Sequence, residues 1–128
     1  MKIKKTRVRP ADICAGTILY IAHPWYGIEK VVALARPHVH SRKGSTLKGT
    51  LWVKTKKTHA DGFVYIGNKS LSDMGVLAGK PKNSRRTFLK LKQAEAYMKW
   101  GRTDPECIKQ HNKHIRWCAQ MDRELGEY

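Results

Sequence analysis

Three histidines, His38, His40 and His59, stand near Lys54 and Lys57 in the chain. Metal-free cleavage of a phosphodiester needs those residue types: a general base, a general acid and a cation beside the developing phosphorane charge. In an extended segment His38 and His40 share a face, because strand side chains repeat every two residues. Nothing in the spacing brings His59 to them, and basic, turn-rich stretches readily contain histidines, so all three read as bystanders. Two-metal chemistry needs clustered carboxylates to hold the cations. Residues 1–60 supply only Asp12 and Glu29. With no Gly-rich nucleotide loop and no nucleophile elbow, no catalytic residue is assigned and an enzyme is not expected.

A second group, Cys107, His111, His114 and Cys118, projects onto an arc of about 60° on one helical face, which suggests a metal. Length argues against one shared site. From Cys107 to Cys118 a helix rises about 16 Å, whereas tetrahedral zinc holds its ligands about 2.0 to 2.3 Å from its centre. Only the pairs Cys107/His111 and His114/Cys118 are close enough to ligate together. The simpler reading is a core face in which Cys acts as a small hydrophobe. No metal or cofactor is assigned. The string His111-Asn112-Lys113-His114 resembles an HNH nuclease motif, but it falls in the middle of the expected helix and lacks the hairpin that should precede it. On the other side of this helix Lys109, Lys113, Arg116 and Arg123 cluster, with Trp117 just beyond. Trp117, Lys113 and Arg116 form a candidate partner contact, because a large aromatic ring is a common anchor. An ordinary solvated face is the alternative.

Binding is the chemistry the sequence favours. Arg36, Arg42, Lys43, Lys48, Lys54, Lys56 and Lys57 fall within 22 residues. Gly44 and Gly49 permit close backbone approach, and Ser41, Ser45, Thr46 and Thr50 add hydroxyls. Such groups hold a nucleic-acid backbone without reading its sequence. Trp52 shares a strand face with Lys54 and Lys56, where it either stacks on a base or packs in a small second core. Arg85 and Arg86, with Lys80 and Lys82 upstream, make a second basic cluster. Lys2, Lys4, Lys5, Arg7 and Arg9 form a basic arm. Trp25 and Tyr26 are either an exposed aromatic pair or a plug at the end of the sheet.

The elements that must carry these groups are short strands followed by helices. Residues 17–22 and 28–35 read as strands around the turn His23-Pro24-Trp25-Tyr26-Gly27. Residues 50–55 alternate, with Leu51 and Val53 on one side and Trp52, Lys54 and Lys56 on the other. Asp61-Gly62 makes a turn before a strand over 63–66. A loop with Gly75, Gly79 and Pro81 follows, with a helical turn from Ser72, and then a last strand over 86–91. A short helix over 92–100, with Ala94, Tyr97 and Met98 inward, is expected to end at Gly101. The final helix has Asp104 as N-cap, Pro105 at its first position, Glu106 in its first turn and Gly126 as its stop.

Arg9-Pro10-Ala11-Asp12-Ile13-Cys14-Ala15-Gly16-Thr17-Ile18-Leu19-Tyr20 resembles the opening strand of an SH3-like barrel of the KOW or Tudor kind. In those barrels a polar turn and a Gly lead into an alternating strand. The resemblance covers residues 9–66. It implies a small barrel and binding to RNA, DNA or transcription machinery. The basic insertion at 36–49 departs from a minimal module, so no binding residue transfers position by position.

With 128 residues and a net charge of +16, the chain has room for one domain, mainly β over 1–91 and mainly α over 92–126. Residues 1–60 hold thirteen Lys and Arg against two acids, while residues 104–128 hold four against five. Solubility needs a net charge of only about 2 to 8, so the excess points to a polyanionic partner. Three cysteines without framework spacing, no leader and no long apolar run imply a cytoplasmic setting with no membrane span. The expected fold is α+β: a small bent antiparallel sheet, or SH3-like barrel, followed by two helices. The expected function is non-catalytic nucleic-acid binding, to DNA or RNA, by an accessory or regulatory protein. The alternative is a protein-interaction module that docks on an acidic face of a larger protein. Compact basic proteins of that kind are familiar among viral proteins that target host machinery.

Overall fold

The computed structural model of the chain describes residues 8–41, 43–44, 48–76 and 83–125. A 3-10 turn over Pro10–Asp12 precedes β1 (Ile18–His23), β2 (Gly27–Ala33), β3 (His38–Val39), β4 (Leu51–Thr58), β5 (Val64–Ser70) and β6 (Arg86–Phe88). Two helices follow, α1 (Leu91–Thr103) and α2 (Pro105–Leu125). The six strands form one curled antiparallel sheet in the order β3-β4-β2-β1-β6, with β5 along the other edge of β4. A bent sheet followed by two helices is the α+β arrangement expected.

Alternation along β1 assigns its two faces to two cores. Leu19 and Ile21 point into the concave side, with Val31, Ala33, Val53, Leu71, Met74 and Val76. Val8 and Ile13 close that core from the amino-terminal side. Ala22 points the other way, onto Phe88 and the Ala94 and Tyr97 of α1, with Tyr20 and Ile28 beside them. Phe88 and Tyr97 meet with ring centroids 5.4 Å apart. The Tyr97 hydroxyl, buried with its ring, donates to the Ser84 carbonyl at 2.7 Å, which spares it the cost of an unpaired polar group.

Two glycines are fixed by their surroundings. Gly75 has φ of +75°, and a Cβ there would lie on the Arg85 carbonyl. Thr87 Oγ1 donates to the Met74 carbonyl at 2.7 Å, so the turn after β5 is pinned to β6. Gly101 lies inside α1 rather than at its end, a correction to the sequence reading. A Cβ at Gly101 would come 2.5 Å from the Pro24 ring, so the residue serves close packing of helix on turn. The helix continues to Thr103 and stops at Asp104, whose N–H still donates to the Trp100 carbonyl at 2.8 Å. Asp104 then caps α2, accepting from the Cys107 N–H at 3.0 Å. The last strand is also shorter than expected, ending at Phe88 because α1 begins three residues later.

Candidate nucleic-acid interface

β4 carries the candidate site. Val53 and Thr55 are buried toward the concave core, while Lys54 and Lys56 are exposed on the opposite face. Trp52 stands on the face of Lys54, half-buried, its indole N–H donating to Thr50 Oγ1 at 2.7 Å. His38 of β3 lies directly opposite Trp52, and the His40 ring is 6.4 Å from the indole. None of β3, β4 and β5 contains an acidic residue. β2, which pairs with β4 at Lys56, holds Glu29, but that carboxylate pairs with Lys57 and Lys69 on the other face, away from Lys54 and Lys56. Lys43 and Lys48, both exposed, lie in the β3–β4 loop that feeds this face, and Arg36 is exposed just before β3. Gly49 N–H donates to the His40 carbonyl at 2.8 Å, which closes the base of the loop.

Two sequence-assigned residues, Lys57 and Arg86, fall elsewhere. Lys57 lies on the reverse of β4, with Nζ 3.5 Å from Glu29, which also pairs with Lys69 at 3.4 Å. Parity explains the separation, since Lys57 is one residue out of step with Lys54 and Lys56. Arg86 is 3% exposed, within β6, and presents no charge at the surface. Its neighbour Arg85 is exposed and lines a pocket of about 420 Å³ with Glu29, Lys69 and Asp73, reached on one side by Trp52. That pocket mixes both signs of charge and is less suited to a polyanion than the outer face of β4. Arg42 lies outside the described residues, as do Lys2 to Arg7, Lys80 and Lys82.

The histidines do not assemble. His59 is seven residues along β4 from Trp52, and hence roughly 23 Å from the His38 position at strand rise. His59 instead lies beside Phe63 at the tip of the β4–β5 hairpin, the two rings tilted with centroids 5.8 Å apart. The tip holds residues the sequence reading passed over. Phe63 is 62% exposed and Tyr65 57%, with Val64 and Ile66 also exposed. The signal was available: residues 63–66 are apolar in succession rather than alternating, so one side of that strand had to face solvent unless both were covered. Tyr65 lays its ring over Gly67, whose absent Cβ leaves room for it.

At the other end of the sheet, the β1–β2 turn is held by both helices. Arg102 Nε donates to the Pro24 carbonyl at 2.6 Å, and its guanidinium lies 5.8 Å from the Trp25 ring. Trp25 stacks flat on His111, centroids 4.3 Å apart. Trp25 is thus neither an exposed partner of Tyr26 nor a plug for the sheet. His23 is buried, and its Nδ1 accepts the Trp25 backbone N–H at 3.2 Å. Burial, then the nearby charge of Arg85 and the neighbouring His111 and His114, push its pKa down to about 4. Burial and Asp104 raise that of the Cys107 thiol. Cys107 is buried, beside Gly101.

Among the described residues no group of three or more metal-ligating side chains comes together. His111 and His114 sit within α2, without the hairpin an HNH site requires. Lys113, Arg116 and Trp117 are exposed on α2, clear of β4. No helix among the described residues is long and apolar enough to cross a membrane.

The family model of Phage g100-like proteins matches residues 7–100, from the amino-terminal turn through most of α1. The chain belongs to that family. The match takes in the whole sheet and ends before α2. Comparison with curated proteins and with solved structures finds no match.

Proposed function

We propose that this member of the Phage g100-like family is a non-catalytic nucleic-acid-binding protein, an accessory or regulatory factor acting in the cytoplasm. The observation that carries the reading is the outer face of β4. Lys54 and Lys56 stand exposed beside Trp52 on strands that contain no acid. Two residues of strand rise separate the lysines by about 7 Å, on the scale of one nucleotide step of an extended backbone. Lys43, Lys48 and Arg36 add exposed cations from the segments before and after β3, and Arg85 adds one in a pocket that Trp52 also lines. Released counterions supply the affinity, and phosphate contacts give it without sequence preference. Trp52 offers aromatic surface for an unpaired base on the face of the two lysines, which favours single strands over duplex.

A second reading, docking on an acidic face of a larger protein, is favoured by the exposed apolar run Val64-Tyr65-Ile66 on β5, whose outer edge pairs with no strand among the described residues. Exposed strand edges of this kind accept an added strand. Anisotropy titrations with labelled single-stranded and duplex oligonucleotides separate the two. Binding that strengthens steeply as salt falls supports the nucleic-acid reading. Absence of binding in dilute buffer rejects it.

A further inference from the structure

Asp73 and Arg85 line the pocket of about 420 Å³, and sites for small ligands run from about 300 to 1,000 Å³. Glu29 and Lys69 line it too, but they are already paired with one another. Asp73 and Arg85 are both exposed, and among the described residues neither forms an ion pair. The pocket thus offers one carboxylate and one guanidinium that are not spent on each other. Both are held in place. Asp73 lies in the turn after β5, which Thr87 Oγ1 pins to β6 through the Met74 carbonyl. Gly75 of the same turn packs against the Arg85 carbonyl, which fixes the turn against the residue before β6. The buried Ile21 and Met74 add apolar surface.

Position links this pocket to the face of β4. Trp52 lines the pocket and shares the face of Lys54 and Lys56. Asn68 lines it as well, and lies directly opposite Lys54 on β5. Cross-strand partners stand about 5 Å apart, so a nucleotide beside Lys54 is at the rim of the pocket.

The two unspent charges select the ligand. A phosphate alone would leave Asp73 opposed, and a simple ammonium would leave Arg85 opposed. An amino acid carries both charges, but gives the adjoining lysine face nothing to hold. A nucleotide in a strand satisfies all three. An ionised carboxylate only accepts hydrogen bonds, through two oxygens. Guanine presents two adjacent donors, its N1–H and its 2-amino group, on the edge by which unpaired bases are read. Adenine and cytosine place an acceptor beside their amino group, and thymine and uracil have a single N–H between two carbonyls. We infer that the pocket takes the base of one unpaired guanine from a bound strand, with Asp73 accepting from N1–H and the 2-amino group and Arg85 facing a phosphate of that nucleotide. The inference rests on the nucleic-acid reading, and adds a base preference at one position to a backbone grip that has none.

Anisotropy titrations of the intact chain test it with three labelled strands: oligothymidylate, the same strand with one central guanine, and the same strand with hypoxanthine in its place. Hypoxanthine lacks only the 2-amino group. The guanine strand should bind about tenfold tighter than oligothymidylate, with the hypoxanthine strand between them. Asp73→Ala should make the three alike while leaving the salt slope unchanged. Circular dichroism and the melting transition check that this variant folds, and the comparison of strands on the unaltered chain stands without it. Equal affinity for all three strands with a steep salt dependence overturns the inference and leaves the backbone reading standing. A guanine preference that survives Asp73→Ala in the folded variant also overturns it. No binding of any strand in dilute buffer removes both.

Discussion

The Lys57 ammonium lies 3.5 Å from the Glu29 carboxylate, on the side of β4 opposite Lys54 and Lys56. Three lysines within four residues thus have two different roles. Lys57 and Lys69 share one acid on the concave side, a pairing worth at most about 1 kcal/mol at this exposure. Lys54 and Lys56 stand exposed on the other face, where the proposed reading puts a phosphate backbone.

Alanine substitution separates these roles. Replacing Lys54 and Lys56 should weaken binding to any oligonucleotide sequence alike and flatten the log–log salt slope by about 0.7 to 0.9 per lysine. Lys57→Ala should leave that slope nearly unchanged. Anisotropy titrations at several salt concentrations read both results.

Trp52 predicts a preference for single strands. Its ring shares the face of Lys54 and Lys56, whereas Tyr65 pairs with Lys57 and lies on the reverse of β4. Trp52→Ala should cost about 1 to 3 kcal/mol per stacked base against single strands, and much less against duplex, while Tyr65→Ala should change either little. Competition between the two forms measures the difference.

Gly101→Ala tests the seating of α1 on the β1–β2 turn. The added methyl would meet the Pro24 ring at 2.5 Å, and overpacking of this kind costs about 1 to 3 kcal/mol. A lower urea midpoint with an unchanged slope is the expected outcome. Oligonucleotide binding should persist, because the contact lies away from β4.

His23 makes stability depend on pH. Its folded pKa is lowered to about 4, so between an unfolded value near 6.5 and that point the unfolded chain holds the extra proton. Stability is complete above about pH 6.5 and is lost as pH falls toward 4, by about 3 kcal/mol at most from this residue. His111, also lowered chiefly by burial, acts in the same direction. Urea unfolding across this range, with His23→Gln as comparison, should show a shallower acid loss in the variant.

Period and capping made much of the architecture legible. Alternation over 50–55 placed Trp52, Lys54 and Lys56 on one face, and Asp104-Pro105 marked the start of α2. What local pattern could not carry was tertiary: Gly101 reads as a helix stop until Pro24 is seen against it. Arg86 reads as a surface cation because burial of a short edge strand depends on the helix laid over it. Lys57 was grouped with its neighbours by proximity in sequence, although parity alone puts it on the other face. The exposed tip was missed for a related reason, since an apolar run of four suggests a core until nothing covers it.

The most direct test of the account is the affinity of the intact chain for a labelled single-stranded oligonucleotide, followed from dilute buffer to high salt. The account predicts tight association at low salt, a steep linear fall of log K with log salt, and stronger binding to single strands than to duplex of equal length. No measurable association in dilute buffer, or an affinity indifferent to salt, would contradict it.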